Sequence, residues 1–460
     1  MAEKATVTAR DDAIAGKATR IDLFSLRTPA MRIFHLTWLA FFVCFFAWFA
    51  CAPLMPLMKR EFALSAEQIA NINIAAVAIT IVVRLLIGPL CDRYGPRRVY
   101  CALLALGAVP VLGAAFAHSY ESFLICRLGI GAVGASFVIT QYHTSVSFAP
   151  NVVGTANATT AGWGNAGAGA AQMFVPLLLA GLIALDVDAS HAWRATLLLP
   201  GLAMLLMAGL YWRFTTDTPR GNWPVGGSRG NARGADGRGP LRRGGEGWRS
   251  FVAACANYRV WMLFVTYGAC FGVEVFMHNV AALYFVEHYR LSLTAAGIVA
   301  GSFGLLALFA RALGGLLSDR LAARRGLGIR ATLLFALIAG EGLGLLGFAH
   351  APGVAAAVVA MLVFGLFTHM ACGATYALVP FIDRKALGGV AGIVGAGGNV
   401  GAVAAGFLMK GIGELGQTLS VLGLFVLAAA VCALAVRFSA EHAAREAALR
   451  DEVLALGAGH

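Results

Sequence analysis

Two arginines lie deep inside apolar segments of the chain. Arg84 and Arg311 each stand eight residues before an aspartate, Asp92 and Asp319, in segments that are otherwise almost wholly apolar. Eight residues of helix cover about 12 Å, which leaves little room for either guanidinium to reach a membrane surface. An arginine at the centre of a bilayer costs at least ~2.5–3.5 kcal/mol, so it normally faces a cavity and has a partner. These two arginines are therefore the first candidates for a binding site.

Acidic partners for these arginines are scarce. The apolar segments contain Arg84, Arg127 and Arg311, whereas Glu274 and Glu341 are the only acids clearly inside them. This shortage predicts that the missing anion is a substrate. Guanidinium is planar and presents its donors in a fixed fork, which suits a small planar oxyanion. The alternative is a structural arginine bound to an acid or a backbone carbonyl, which we favour for Arg127.

Two amides stand at the centre of glycine-rich apolar stretches. Asn165 lies in AGWGNAGAGAAQ and Asn399 in GIVGAGGNVGA. Close helix packing through small residues accounts for most of the glycines, but it does not account for the amides. An amide N–H can donate to an oxyanion, which bare glycines such as Gly164 and Gly398 would allow to approach closely. We therefore predict that these four residues line a substrate site.

Apolar segments of membrane-spanning length must position these residues. The chain has 460 residues, of which 59% are hydrophobic and 13% charged, against about a quarter charged in soluble domains. Apolar stretches of about 20 residues, enough to cross a bilayer core, recur along the chain. They predict an all-α polytopic membrane protein with no cleaved signal peptide. The predicted spans are 33–56, 68–91, 97–117, 121–147, 152–184, 192–213, 258–286, 295–318, 329–349, 352–380, 387–409 and 417–437.

The net charge of +12 could suggest a nucleic-acid partner, but its distribution indicates membrane topology. If both termini are cytoplasmic, most Lys and Arg residues fall on cytoplasmic segments, as the positive-inside rule requires. Three lie inside spans, and five fall on the opposite side: Lys59, Arg60, Arg194, Arg290 and Lys410. The nine cysteines are scattered and none has metal-ligand spacing. We expect no nucleic acid, metal or cofactor.

The chain divides around a Gly/Arg-rich segment, 214–257, which cannot bury a core and is predicted to be a cytoplasmic linker. Six-helix bundles are predicted at 33–213 and 258–437, with cytoplasmic tails at 1–32 and 438–460. The Arg84 and Asn165 motifs recur as the Arg311 and Asn399 motifs, in the same order and at nearly the same offset. This recurrence indicates a duplicated six-helix unit.

The segments GPLCDRYGPRR and GGLLSDRLAARR follow the second and eighth predicted spans. They resemble the gating loop of the major facilitator superfamily, whose charge pairs hold helix ends together and break when the two halves rock. The resemblance implies twelve helices in two pseudo-symmetric halves with the substrate between them. It assigns a gating or structural role to Asp92, Arg93, Arg97, Asp319, Arg320 and Arg324.

A more specific resemblance is to the nitrate/nitrite porter family. Its two Asn/Gly-rich signatures are the stretches around Asn165 and Asn399, and YGACFGVE, from Tyr267, resembles the seventh helix of its nitrate-uptake branch. The resemblance implies that Arg84 and Arg311 hold nitrate or nitrite. It also implies an aromatic wall, to which we assign Phe137, Tyr267 and Phe367.

Proton coupling has four candidates within the predicted spans: Glu274, His143, His278 and His369. Histidine titrates near physiological pH, although a lone intramembrane histidine is more often hydrogen-bonded to a neighbouring helix. Glu274 could instead be the internal partner of an arginine, and a site with two fixed positive charges could exchange nitrate for nitrite without any proton carrier.

The leading expectation is a secondary transporter for nitrate and/or nitrite in the bacterial cytoplasmic membrane, monomeric and driven by protons. Alternatives are a nitrate/nitrite antiporter, a nitrite exporter, or a carrier of another small anion such as a carboxylate. An enzyme is not expected, because the sequence offers no nucleophile, metal cluster or nucleotide loop. A receptor-like sensor would usually carry a soluble signalling domain.

Overall fold

The computed structural model describes residues 17–148, 152–222, 252–383 and 387–444. These residues are helical, apart from connecting segments and two isolated β-bridges. The α-helices that build the fold are α1 (Pro29–Phe49), α2 (Met55–Glu61), α3 (Ala66–Tyr94), α4 (Pro96–Ala114), α5 (Tyr120–Gly131), α6 (Ser136–Ser147), α7 (Val153–Ala184), α8 (Ala189–Phe214), α9 (Tyr258–Tyr289), α10 (Leu293–Leu305), α11 (Ala307–Arg325), α12 (Ile329–Ala349), α13 (Val354–Leu378), α14 (Leu387–Ile412) and α15 (Leu415–Leu434).

Twelve helical segments in the described part of the chain are long and apolar enough to cross a membrane. They coincide with the twelve predicted spans, which confirms the all-α polytopic fold. Three spans contain a break: α1 and α2 meet at the 3₁₀ turn Ala52–Leu54, α5 and α6 at the 3₁₀ segment Ala132–Ala135, and α10 and α11 at Leu306.

Several helices begin a few residues before the spans predicted from hydropathy. Capping residues determine where these helices start. Pro29 begins α1, and the Thr28 side chain accepts the backbone N–H of Met31. Ser65 and Gln68 form a reciprocal capping box at the start of α3. Such caps satisfy backbone donors that the first helical turn leaves without an internal partner, so they fix where the helix begins.

The described chain forms two compact units, and the first comprises its residues up to 222 together with 278–308. Within it, α1 packs along α7 and α8, and α10 packs along α7. A Cβ on Gly169 would collide with the backbone of 301–305, and one on Gly301 with Gly169 and Met173. Glycines at this crossing therefore allow α7 and α10 to meet in backbone contact, as expected of membrane helices.

The second unit comprises 252–277 and the described residues between 309 and 444. Here α12 packs along α13 and α15, with Gly342 against Leu427 and Gly423 of α15. Residues 278–308, predicted to belong to the second bundle, cluster with the first unit. The division into bundles at 33–213 and 258–437 stays a prediction, and the predicted linker and tails lie largely outside the described residues.

Candidate functional site

A buried ion pair forms the centre of the second unit. Arg311, on α11, donates through Nη2 to both carboxylate oxygens of Glu274, on α9, at 2.7 and 2.6 Å. The two side chains are only 10% and 1% exposed. The arginine predicted to bind a substrate anion therefore already holds an internal carboxylate, the role that the sequence left open for Glu274.

Helix α13 adds two more groups to the same carboxylate. The Nδ1 atom of His369 lies 3.4 Å from Glu274 Oε2, and the Cys372 thiol approaches that oxygen at 3.6 Å. All three side chains are buried. Two of the four predicted proton-coupling residues, Glu274 and His369, thus lie in contact with each other, and Glu274 also contacts Arg311.

Glycines bring α11 and α13 close enough for these contacts. A Cβ on Gly373 would collide with the carbonyl oxygen of Arg311, and one on Gly314 with that of Met370. Two backbones can cross this closely only where side chains are absent. The crossing fixes the α-carbon of Arg311 beside the turn of α13 that carries Cys372.

Arg311 retains donor capacity beyond the ion pair. Its Nε is buried and has no hydrogen-bond partner among the described residues, and its Cζ lies 5.6 Å from the ring centroid of Phe271. The Tyr267 ring stacks on Phe271 at 5.2 Å and 3° and meets Tyr376 edge-on at 5.1 Å. A buried unpaired donor costs about 1–3 kcal/mol, so this edge of the guanidinium is suited to receive an oxyanion.

The second glycine-rich signature reaches the same aromatic pair. A Cβ on Gly398 would strike the rings of Phe271 and Tyr267, so this glycine serves packing. Asn399 is fully buried; its Nδ2 makes one long bond of 3.5 Å to Gly395 O, and its Oδ1 has no partner in the described part of the chain. The amide therefore keeps hydrogen-bonding capacity that a small ligand could use.

In the first unit Arg84 contacts neutral groups of the fourth span. Its Nε and Nη2 donate to Gly134 O at 3.4 and 3.1 Å, and its Cζ lies 5.6 Å from the Phe137 ring centroid. Gly134 belongs to the 3₁₀ segment between α5 and α6, where the changed helical pitch redirects carbonyl groups. Arg84 and Arg311 are thus each associated with one aromatic ring.

Packing against α3 and α1 holds that 3₁₀ segment in place. The Trp48 indole N–H donates to Ala76 O at 2.7 Å, and a Cβ on Gly134 would strike the Trp48 ring. Thr80 donates to Gly131 O at 2.5 Å. These contacts fix the carbonyl that Arg84 uses.

The first glycine-rich signature, on α7, also lies near Phe137. Asn165 is 2% exposed, and a Cβ on its neighbour Gly164 would strike the Phe41 ring. Phe41 in turn lies 5.8 Å from Phe137. The elements carrying Arg84, Phe137 and Asn165 therefore belong to one packed group, and substrate contact by these residues stays a prediction.

Three further predicted residues lie in apolar or hydrogen-bonded surroundings. His143 uses both ring nitrogens, with the Tyr211 hydroxyl at 2.6 Å and Thr216 O at 2.8 Å. The His278 ring lies between Phe49 and Phe303, at 4.9 and 5.5 Å. The Phe367 ring packs against Gly340 of α12.

The predicted gating residues connect helix ends within each unit. The Arg97 guanidinium donates to Trp212 O at the end of α8, and its backbone N–H donates to Asp217 Oδ1 at 3.1 Å. In the second unit Asp319 pairs with Arg330 of α12 at 2.7 Å. Arg320 and Arg324 are exposed. The side chains of Asp92 and Arg93 lie outside the described residues.

Sequence reasoning missed Phe271, Cys372 and Arg330 as members of these clusters. Phe271 precedes Glu274 by three residues, less than one helical turn, and that spacing was an available signal. Arg330 begins a span next to Asp319 across a short loop, which favoured a charge pair. Cys372 gave no signal.

Comparison with known proteins agrees with this architecture. The sequence model of the Major Facilitator Superfamily matches residues 37–381. The high affinity nitrate transporter 2.5 of Arabidopsis thaliana is 38% identical over 84% of this chain and 75% of its own. The nitrate/nitrite transporter NrtP of Nostoc punctiforme is 29% identical over 83% of this chain and 87% of its own.

Among solved structures, a bacterial homologue of the lysosomal transporter Spinster, inward-facing and unoccupied, superposes with a TM-score of 0.67. It shares 14% identity and covers 90% of this chain and 100% of its own; at that identity it supports the fold alone. The family match and the nitrate transporter relatives together establish that this chain belongs to the major facilitator superfamily and, within it, to the nitrate/nitrite porter family.

Proposed function

We propose that this chain carries nitrate, and/or nitrite, across the membrane by alternating access, and that uptake is coupled to protons. Relatives named as nitrate transporters extend over most of its length. The coupling proposal rests on the buried Arg311–Glu274 pair. Because Arg311 is the partner of this carboxylate, a substrate anion that binds Arg311 must compete with Glu274 for the same guanidinium.

Protonation of Glu274 is the step that releases Arg311. Removing one member of a buried ion pair while the other stays charged costs about 3–5 kcal/mol, so nitrate alone would leave an uncompensated carboxylate. A proton on Glu274 and an anion on Arg311 keep both groups neutralised. By linkage, each ligand then strengthens the binding of the other, which is the thermodynamic requirement for symport.

His369 provides a second position for this proton. Its Nδ1 lies 3.4 Å from the same Glu274 oxygen, and an imidazole nitrogen can hold a proton. As a cation it would compensate Glu274 while Arg311 turns to the substrate. His143, with both nitrogens hydrogen-bonded, takes a structural role in this scheme.

The remaining substrate contacts follow the family resemblance. Arg84 supplies the second guanidinium, Asn165 and Asn399 supply amide donors, and Phe137 and Tyr267 face the planar anion. Phe367 and the glycines act by shaping these elements. The positive-inside distribution supports a cytoplasmic position for both termini and the bacterial cytoplasmic membrane as the location.

Nitrate uptake into liposomes containing the purified protein tests the proposal. The liposomes are either empty or loaded with nitrite, and the outside is either acidic or at the internal pH. We expect an acidic exterior to drive accumulation without internal nitrite. Uptake that needs internal nitrite and ignores the pH gradient would overturn symport in favour of exchange.

A Glu274→Gln variant sharpens this test. Glutamine retains an oxygen that can accept a hydrogen bond from Arg311 but cannot titrate, so the proton that Glu274 carries is lost and the accumulation driven by a given pH gradient should fall, while nitrate exchange persists. Glu287→Gln is the matched control, because Glu287 also pairs with a cation, Lys59 at 2.5 Å, but is 43% exposed. A Glu274→Gln variant that accumulates nitrate as the control does would contradict the role of Glu274.

A further inference from the structure

A second buried acid, Glu341 on α12, lies in the same unit without a cation. Its side chain is 0% exposed, and neither carboxyl oxygen has a hydrogen-bond partner among the described residues. Its neighbours Gly340 and Gly342 pack against the apolar side chains of Phe367 and Leu427. Charged, it would be a carboxylate that accepts no hydrogen bond from the described residues.

The groups facing Glu341 favour a protonated acid. The Thr368 hydroxyl of α13 lies beside the carboxyl, but its hydrogen is donated to Phe364 O at 2.9 Å. A hydroxyl has only one hydrogen, so Thr368 cannot donate to Glu341 while it donates to Phe364 O. A protonated carboxyl would supply the missing donor, whereas a carboxylate would face an oxygen lone pair.

The titratable groups on the neighbouring helices point the same way. Those facing Glu341 from α9 are Cys270 and the carboxylate of Glu274, which repels a second negative charge. On α13, His369 and Cys372 face Glu274. Helix α15 contains no acid, base or histidine. On α12 itself the cation is Arg330, which pairs with Asp319.

Glu341 is also connected to the ion-pair cluster. Cys270 adjoins both Glu341 and Cys372, and Cys372 contacts Glu274. A carboxylate without donors in an apolar interior costs many kcal/mol and takes up a proton instead. An ionisable residue inside a membrane span is by default a candidate functional group, and its binding partner has to be identified. For Glu341 the partner that its surroundings favour is a proton.

We propose that Glu341 is a second proton-binding residue of the carrier, one that takes a proton from water on one side of the membrane and releases it to water on the other during each cycle. The inference rests on the proposed proton-coupled transport. One proton on Glu274 travelling with one nitrate moves no net charge. A second proton on Glu341 moves one positive charge inward.

Membrane potential therefore tests the inference separately from coupling itself. One net charge changes the equilibrium accumulation about 50-fold for each 100 mV. Liposomes with an imposed inside-negative potassium diffusion potential, at a fixed pH gradient, should accumulate more nitrate through the wild-type protein. The Glu341→Gln variant should respond to the pH gradient but not to the potential, and Glu341→Asp should keep the response.

Glu414→Gln is the matched control, because it removes an exposed acid at the start of α15 and should behave as the wild type. A Glu341→Gln protein that keeps the wild-type potential response would overturn the inference. So would electroneutral uptake by the wild type, whether or not the variants fold. Wild-type uptake that ignores the pH gradient would instead overturn the proposed symport.

Discussion

Replacing Arg311 by lysine separates its charge from its geometry. A lysine ammonium can still pair with Glu274, so the buried carboxylate keeps a cation and the protein should fold. The variant loses the Nε–H, which has no partner within the described residues, together with the planar fork. Lysine is a point charge and does not replace an arginine that binds through two donors.

The expected magnitude follows from one lost charge-assisted hydrogen bond to the anion. Such a bond contributes about 1.5–3 kcal/mol, and each 1.4 kcal/mol changes affinity about tenfold. The half-saturating nitrate concentration of Arg311→Lys should therefore rise about 10- to 150-fold. Arg311→Ala would be less informative, because it leaves Glu274 uncompensated and costs about 3–5 kcal/mol of stability.

Initial rates of nitrate uptake into liposomes, measured over a range of nitrate concentrations, check this value. Arg194→Lys is the matched control: Arg194 also pairs with a glutamate, Glu61 at 2.7 Å, and is 17% exposed, but it lies outside the site. A half-saturating concentration for Arg311→Lys within twofold of the control would refute the reasoning that Arg311 holds the anion through its fork.

Two further predictions concern stability rather than affinity. Gly373→Ala places a methyl group against the Arg311 carbonyl oxygen, so thermal unfolding should show that the free energy of unfolding falls by about 1–3 kcal/mol. Gly347→Ala is the control, because a methyl group at Gly347 would enter open space and should not change stability. Equal melting temperatures for the two variants would contradict the close crossing of α11 and α13. His143→Phe removes the hydrogen bonds to the Tyr211 hydroxyl and to Thr216 O and should lower the free energy of unfolding by a similar amount. The pH dependence of nitrate uptake should stay that of the wild type. A shifted pH profile would contradict a structural role for His143.

The fold and the candidate arginines could be predicted from the sequence. Hydropathy and the free-energy cost of placing a charge in a membrane can both be judged from a single segment. A span needs about 20 apolar residues, and a charged residue within it is costly unless it has a partner or a function. The twelve spans and the depth of Arg84 and Arg311 can therefore be recognised without any knowledge of packing. Arg127 was also correctly expected to be structural: it is fully buried and donates to Trp48 O and Asn279 Oδ1, at 2.9 and 2.8 Å.

Pairing between helices could not be predicted from the sequence. Glu274 and Arg311 are 37 positions apart, and their contact depends on which faces of α9 and α11 meet. Likewise, Gly373 and Gly314 let α13 approach α11 closely, and their role appears only when these two helices are placed together. For the same reason Glu341 was counted as an acid available to an arginine, although no arginine among the described residues pairs with it.

The two buried acids of the second unit differ in their partners, and that difference suggests how the proposed coupling would work. Glu274 pairs with Arg311, whereas Glu341 has no hydrogen-bond partner in the described chain. A nitrate that occupies Arg311 would put Glu274 into the position of Glu341, as a buried carboxyl without its cation. Such a carboxyl binds a proton because the charged form is too costly in an apolar interior. Anion binding would therefore create a proton site, since one guanidinium cannot neutralise both a carboxylate and a substrate.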